Sequence, residues 1–331
     1  MGNDKDRDAF HKELIVIDAL NVSNWSEEVF KDIQKGGVTA VNATVAIWEN
    51  FKDTMKLLIE WNERFEKFED TIFQVRSTAD ILKAKETGKV GIILGFQNTA
   101  PIEEELGFLQ IFYQLGIRII QLVYMQQNFI GGGCLEEKDS GLSKFGVEVV
   151  EEMNRLGILI DLSHVGNQTC RDAIEASEKP VCFTHANPFS LFAHPRNKSD
   201  DLLKAIAAKG GVVGANLIPS FLKSGVKSTL DDFVDVIDYL VNLIGIDHVG
   251  IGTDFPIEQP ESFYDRIVTG SCKRKGLGIK FPFPMVLPEG IRMPSEFPNI
   301  TNSLARRGYD DESIRKVMGQ NFLRLFDEIW V

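Results

Sequence analysis

The chain has 331 residues, with 36 Lys and Arg against 48 Asp and Glu, for a formal net charge of −12. That balance argues against a phosphate-backbone partner and an anionic membrane surface, both of which select clustered basic residues, and no run of ~18 uncharged apolar residues could span a bilayer. At 44% hydrophobic and 25% charged residues, the composition is that of a globular protein large enough to bury a core without disulfides or a structural metal.

From the N-terminus onward, eight short apolar runs stand out, at 15–18, 38–43, 90–94, 119–123, 158–162, 181–184, 212–216 and 248–252. They are apolar throughout rather than alternating, as strands buried on both faces of a parallel sheet must be. Helix-like segments fall between them, at 101–115, 144–156, 169–177 and 230–243, and several end in a glycine that introduces the next run: Gly36-Gly37, Gly88, Gly116, Gly157, Gly210-Gly211 and Gly245. Eight β-α alternations predict an α/β fold, a (β/α)8 TIM barrel forming a single domain over residues 1–331. An open doubly wound sheet is the competitor, and the absence of G-x-G-x-x-G after the first run lowers its standing. The stretch 256–298, rich in Pro, Gly, Lys and Phe, predicts a long loop over the C-terminal face of the barrel. Helical segments at 312–318 and 321–329 are expected to pack outside it.

Cys134, Cys170, Cys182 and Cys272 form no C-x-x-C pair, and Cys182 sits in an apolar run as a core thiol. The first eight residues are polar with no apolar h-region, so no signal peptide is expected, and a reducing cytoplasm is the expected compartment.

In a barrel, catalytic side chains come from the C-terminal ends of the strands. The fifth run is followed by Ser163-His164, the sixth leads to His185, and the eighth ends at Thr253-Asp254-Phe255; Gln97-Asn98 follow the third, Tyr124 the fourth, and the seventh ends at Asn216. Only five histidines exist, and imidazoles at two consecutive strand ends point to a shared metal or catalytic role. Asp254 is placed to ligate a metal or move a proton. Arg196, in His194-Pro195-Arg196-Asn197, could grip a carboxylate through two N–H groups or serve only in a surface ion pair. His11, His194 and His248 read as structural or loop residues.

These residues resemble the membrane (renal) dipeptidase family of metal-dependent barrel hydrolases. The matching segments, 16–18, 115–118, 157–165, 184–186, 195–200, 250–255 and 319–322, span nearly the whole chain in the family's order; Asp161-Leu162-Ser163-His164 and Pro195-Arg196-Asn197 with a histidine between them are the specific part. The resemblance implies dipeptide hydrolysis at two zinc ions bridged by a carboxylate. It assigns His164 and His185 to the second zinc, Arg196 to the substrate carboxylate and Asp254 to proton transfer. It also exposes departures. The family's His-x-Asp pair after the first strand is Leu20 and Val22 here, its bridging glutamate is Gln97, and its substrate-side histidine is Tyr124. Anionic ligands offset the repulsion between two adjacent divalent cations, so the first metal site should be lost. The expected cofactor is one zinc at most, on His164, His185 and Gln97, with an empty site as the alternative.

The expected function is therefore hydrolysis of a dipeptide or related small amide, with Asp254 as proton shuttle, Arg196, Tyr124 and Asn98 binding substrate, and a small molecule as the only partner beyond an open question of homodimerisation. A metal-free enzyme and a non-catalytic ligand-binding barrel are the other readings.

Overall fold

A computed structural model describes residues 4–270, 274 and 276–330; Cys272 and the first three residues of the polar N-terminus lie outside the described residues. The strands are β1 (Ile17–Asn21), β2 (Ala40–Ala46), β3 (Ile72–Gln74), β4 (Val90–Phe96), β5 (Ile117–Gln121), β6 (Leu159–Asp161), β7 (Val213–Ala215) and β8 (Val249–Ile251). All pairings between them are parallel: β1 to β2, β2 to β4, β4 to β5, β5 to β6, and β7 to β8. Residues 181–184 fill the gap between β6 and β7 through single bridges, Asp161 to Cys182 and Phe183 to Val213. Closure between β8 and β1 comes from an Asn21–Phe255 bridge and from Asp18, which accepts from Thr253 N at 2.8 Å and Thr253 Oγ1 at 2.7 Å. The result is the (β/α)8 barrel, and all eight apolar runs supply its staves.

β3 is not among those runs. It lies along the lower edge of β4, pairing Ile72 with Val90 and Gln74 with Ile92, below the point where β5 joins at Leu94–Ile117. Three residues between two helices, Phe51–Lys67 and Thr78–Thr87, are too short to show a period.

Helices match the sequence pattern where their caps are explicit. Lys144–Leu156 starts with Ser143 Oγ accepting from Gly146 N and stops at Gly157, whose φ of 78° is left-handed. The 101–115 segment is instead split into a short turn, Ala100–Ile102, and the helix Gly107–Gln114, with Glu103 at φ 52° between them. The 256–298 stretch is not all loop: it carries the helix Glu261–Thr269. No described helix is long and apolar enough to cross a membrane.

The C-terminal helix Asn321–Ile329 also departs from expectation. Phe322, Leu325, Phe326 and Ile329 do not merely coat the outside; they join Ile17, Ala40, Ile93, Ile119, Leu159 and Cys182 in one buried cluster. Side chains alternate along a strand, so those strand residues and the next of the same parity, Asn42, Gln121, Asp161 and Thr184, face the barrel interior. The interior is thus apolar at the floor, where the last helix caps it, and polar toward the C-terminal mouth.

Candidate active site at the C-terminal mouth

Several strand ends deliver side chains to the mouth. His164 follows β6 and His185 follows the 181–184 segment, and their Nε2 atoms lie 2.9 Å apart. Both imidazoles are fully buried. Burial first, then the cations Arg196 and Lys198, hold both well below the ordinary histidine pKa, so both are neutral near pH 7.

The hydrogen bonds fix their tautomers. Asp161 Oδ1 accepts from Ser163 N, Ser163 Oγ and Thr184 N, and Oδ2 accepts from Thr184 Oγ1 at 2.7 Å. With its own proton given to Asp161, Thr184 Oγ1 accepts from His185 Nδ1–H at 2.7 Å. His185 Nε2 then carries a lone pair, and His164 Nε2–H donates to it. His164 Nδ1 is left buried without a partner. An Asp161–Thr184–His185 relay therefore orients one imidazole, in the manner that outer carboxylates orient metal-binding histidines. The one sequence signal for this relay is the aspartate that ends β6; Thr184 carries none beyond its place before His185.

Arg196 is not a surface residue. It is 1% exposed, donates from Nη1 to Ser163 O at 2.5 Å and from Nη2 to His185 O at 2.6 Å, and its Nε has no partner. Among the described residues no carboxylate lies within ion-pair distance of it. Lys198 is equally buried, donates to Val165 O and sits over the Phe183 ring, 5.2 Å from its centroid. Two buried cations thus back the histidine side of the mouth, and Lys198 has no sequence signal beyond its place in the motif.

Asp254 sits at φ 60°, a left-handed conformation uncommon outside Gly, Asn and Asp. Its backbone N–H donates to Leu20 O at 2.9 Å, and its Oδ2 accepts from Asn216 Nδ2 at 3.3 Å. Burial raises its pKa to about 7, against the pull of Arg196 and the Asn216 bond and with help from Asp18 and Asp161. A buried carboxyl that titrates near pH 7 suits a group that takes and returns a proton.

Asp254, His164, Gln97 and Tyr124 line one chamber of about 30 Å3, room for water and not for a substrate. Tyr124 stacks on His164, centroids 4.2 Å apart, and burial drives its phenol far from ionisation. Gln97 Nε2 donates to Thr44 Oγ1 at 3.0 Å, leaving Oε1 unpartnered. Val22 forms part of the same wall, and the 256–298 stretch roofs it with Phe263, Ile267 and Phe281. Asn98 is placed differently: its Oδ1 accepts from Thr99 N and Asn128 Nδ2, and it lines a neighbouring cleft beside Trp48 and Phe129. His11, His194 and His248 are held by ordinary local bonds, to Thr301 and Gly36, to Arg196 N, and to Gly211 O.

The donor set can be tested against the zinc ions the family resemblance implies. Among the described residues no three His, Cys, Asp or Glu side chains come together as a metal group, and Leu20 and Val22 offer no ligand. A binuclear centre does not fit. The neutral donors present, two imidazoles and the unpartnered Gln97 Oε1, are of the type that a single zinc takes, although the two imidazole Nε2 atoms are bonded to each other at 2.9 Å.

With this geometry in hand, the chain matches the sequence profile of the membrane dipeptidase family, peptidase family M19, over residues 18–265 and 264–330. It is 31% identical over 286 residues to an uncharacterised dipeptidase of Schizosaccharomyces pombe, covering 83% of this chain and 62% of that protein. It spans between 60 and 67% of the length of the curated relatives it matches. Among solved structures, an amidohydrolase from Pseudomonas aeruginosa superposes with a TM-score of 0.95 at 45% identity, covering 98% of this chain and 99% of that one. A metallopeptidase from Rhodobacter sphaeroides, liganded with a phosphinate mimic of the dipeptide L-Ala-D-Ala, shares the fold with a TM-score of 0.79 at 20% identity, covering 96% and 100%.

Proposed function

Because this chain belongs to the membrane dipeptidase family, we propose that it hydrolyses a dipeptide or a related small amide that carries a free carboxylate. The observation that carries the reading is Arg196: a buried guanidinium without a carboxylate partner, on the same rim as a paired imidazole site and a carboxyl poised near pH 7. A buried cation left unpaired is costly, and a substrate carboxylate is the group that would complete it.

In this reading Arg196 fixes the carboxylate end and so places the scissile carbonyl in the chamber. Asp254 takes a proton from the attacking water and returns it to the leaving amine. Tyr124 holds the His164 ring by stacking, and the aromatic roof excludes bulk water. One zinc, held by His164, His185 and Gln97, supplies Lewis acidity when bound. Asn98, beside the mouth, is assigned to the substrate's outer end.

A metal-free enzyme is the second reading, favoured by one observation: to free His164 Nε2 for a metal, its proton must move to Nδ1, which has no acceptor. Metal analysis of the purified protein, with alanine release from a dipeptide panel with and without zinc or chelator, separates these. Turnover lost on chelation, and lost in His164→Ala, is the expected result; chelator-resistant turnover selects the metal-free reading, and no turnover under any condition removes hydrolysis.

A further inference from the structure

The chamber that receives the acyl side of a substrate is nearly without charge. Val22, Phe221, Phe263, Ile267, Phe281 and Met285 line much of it, Gln97 and two tyrosines supply uncharged polar atoms, and Asp254 is the sole carboxylate among the described residues that line it. Arg196, over the Phe221 ring at 5.7 Å from its centroid, and Lys198 are buried cations that also act on His164 in the same lining. A free dipeptide would have to bring its α-ammonium into this space. There it would meet mainly apolar and aromatic side chains in a positive field, with Gln97 Oε1 as a neutral acceptor, and the one carboxylate is the group assigned to proton transfer. Stripping water from an ammonium without a dedicated counter-ion is strongly unfavourable.

We propose that the substrate is an N-acyl amino acid, a free carboxylate on one side of the amide and an uncharged apolar acyl chain on the other, rather than a dipeptide with a free amine. This rests on the hydrolase reading above and narrows it to a substrate class. The acyl chain lies along Val22 and under the aromatic roof. Because the chamber holds only about 30 Å3, the chain enters by displacing Phe281 and Met285, which are half-buried rather than locked in the core. Hydrolysis adds water across the amide: the C–N bond breaks, hydroxyl goes to the acyl carbon, and the proton goes to the amino acid nitrogen. The products are a fatty or aromatic carboxylic acid and a free amino acid.

The test uses a matched pair, hexanoyl-alanine and norleucyl-alanine, which differ only by the α-amino group, each with L- and D-alanine. Their non-hydrolysable ketomethylene analogues are titrated calorimetrically into the wild-type full chain, and alanine release is measured from the amides. Binding at least tenfold tighter for the hexanoyl analogue is the expected result, and equal or tighter binding of the norleucyl analogue overturns the proposal. Val22→Asp should move the ratio at least tenfold toward the free amine; an unchanged ratio in a folded variant counts against the acyl wall. A carboxamide version of the hexanoyl analogue isolates the underlying reading: if it binds as well as the acid, the Arg196 anchor is wrong, whatever the ratio within the pair. Failure of every analogue to bind overturns both.

Discussion

The two sides of the barrel mouth are built on different chemistry. On the β6–β7 side most polar groups are committed: Asp161 accepts four bonds, Thr184 and Ser163 link it to His185, and Arg196 spans the two carbonyls of Ser163 and His185, leaving His164 Nδ1 and Arg196 Nε without partners. On the β1–β5 side Leu20 and Val22 are apolar, and the amides that face inward leave oxygens unsatisfied: Asn42 Oδ1, Gln97 Oε1 and Gln121 Oε1. The denser hydrogen-bond network around the histidines lies on the first side. The first side is a preorganised polar site that offsets its burial with hydrogen bonds. The second presents apolar side chains and amides, and its loose ends include Gln97 Oε1, the third donor of the proposed zinc.

The asymmetry would vanish if the second side could be made to behave like the first. Leu20→His, Val22→Asp and Gln97→Glu together place one imidazole and two carboxylates where that wall now has none. We expect the zinc stoichiometry to rise from one at most to two, with the first equivalent held about a hundredfold more tightly. Elemental analysis after dialysis reads the count; a folded triple variant that still binds one ion or none would show that the β6–β7 side, with its two buried cations, repels a second charge on its own.

Removing Arg196 probes the ordered side. Arg196→Ala should raise KM by roughly 10- to 100-fold with little change in kcat, because a charge-assisted pair of about 1.5–3 kcal/mol is present in ground and transition states alike. The structure adds a second consequence. Two carbonyls lose their donors, so thermal stability should fall as well. Arg196→Lys should restore neither, since one ammonium cannot span both carbonyls and a carboxylate. A drop in kcat at constant KM would place Arg196 in the transition state instead. Thr184→Val, nearly isosteric, cuts the relay at one atom. It should weaken whatever His185 does by about tenfold, and unchanged metal affinity and turnover would reduce the relay to packing.

Much of this contrast is legible in the sequence, and the reasons are local. The eight staves show because buried parallel strands are apolar at every position, and Gly157 marks where a helix ends and one of them begins. His164, His185 and Asp254 show because a barrel puts the residues just past each strand at its mouth, and Leu20 and Val22 stand out by their failure to match. The hidden features depend on distance across the chain. β3 is a three-residue strip with no period of its own. Arg196 can be seen as a carboxylate ligand from its motif, but its burial and lack of an ion pair depend on where the 194–198 loop folds back. Phe322 carries a helical pattern that fits a flank equally well; that it caps the barrel floor is set by the buried cluster it shares with Cys182 and Ile93.

Asp254 sits at the boundary of the two sides, and its protonation gives the finest measure of how they are joined. Its folded pKa of about 7 lies above the ~3.9 of an unfolded aspartate. The native state therefore holds a proton that the unfolded chain has already released. Stability from this group is fully present below pH ~4 and is lost as the pH rises toward 7, where the native carboxyl ionises too and the loss levels off. Asp254→Asn keeps the shape, suits φ 60° as asparagine does, and cannot ionise. It should be more stable than the wild type by on the order of 1–2 kcal/mol at pH 8, the gap narrowing toward pH 5, while hydrolysis is lost. The wild-type rate should climb through pH ~7 as the base is uncovered. Denaturant melts at the two pH values decide it. A variant less stable than wild type at pH 8 would mean that the negative charge of Asp254 is needed to balance Arg196, and that the two sides of the mouth are held together by that attraction.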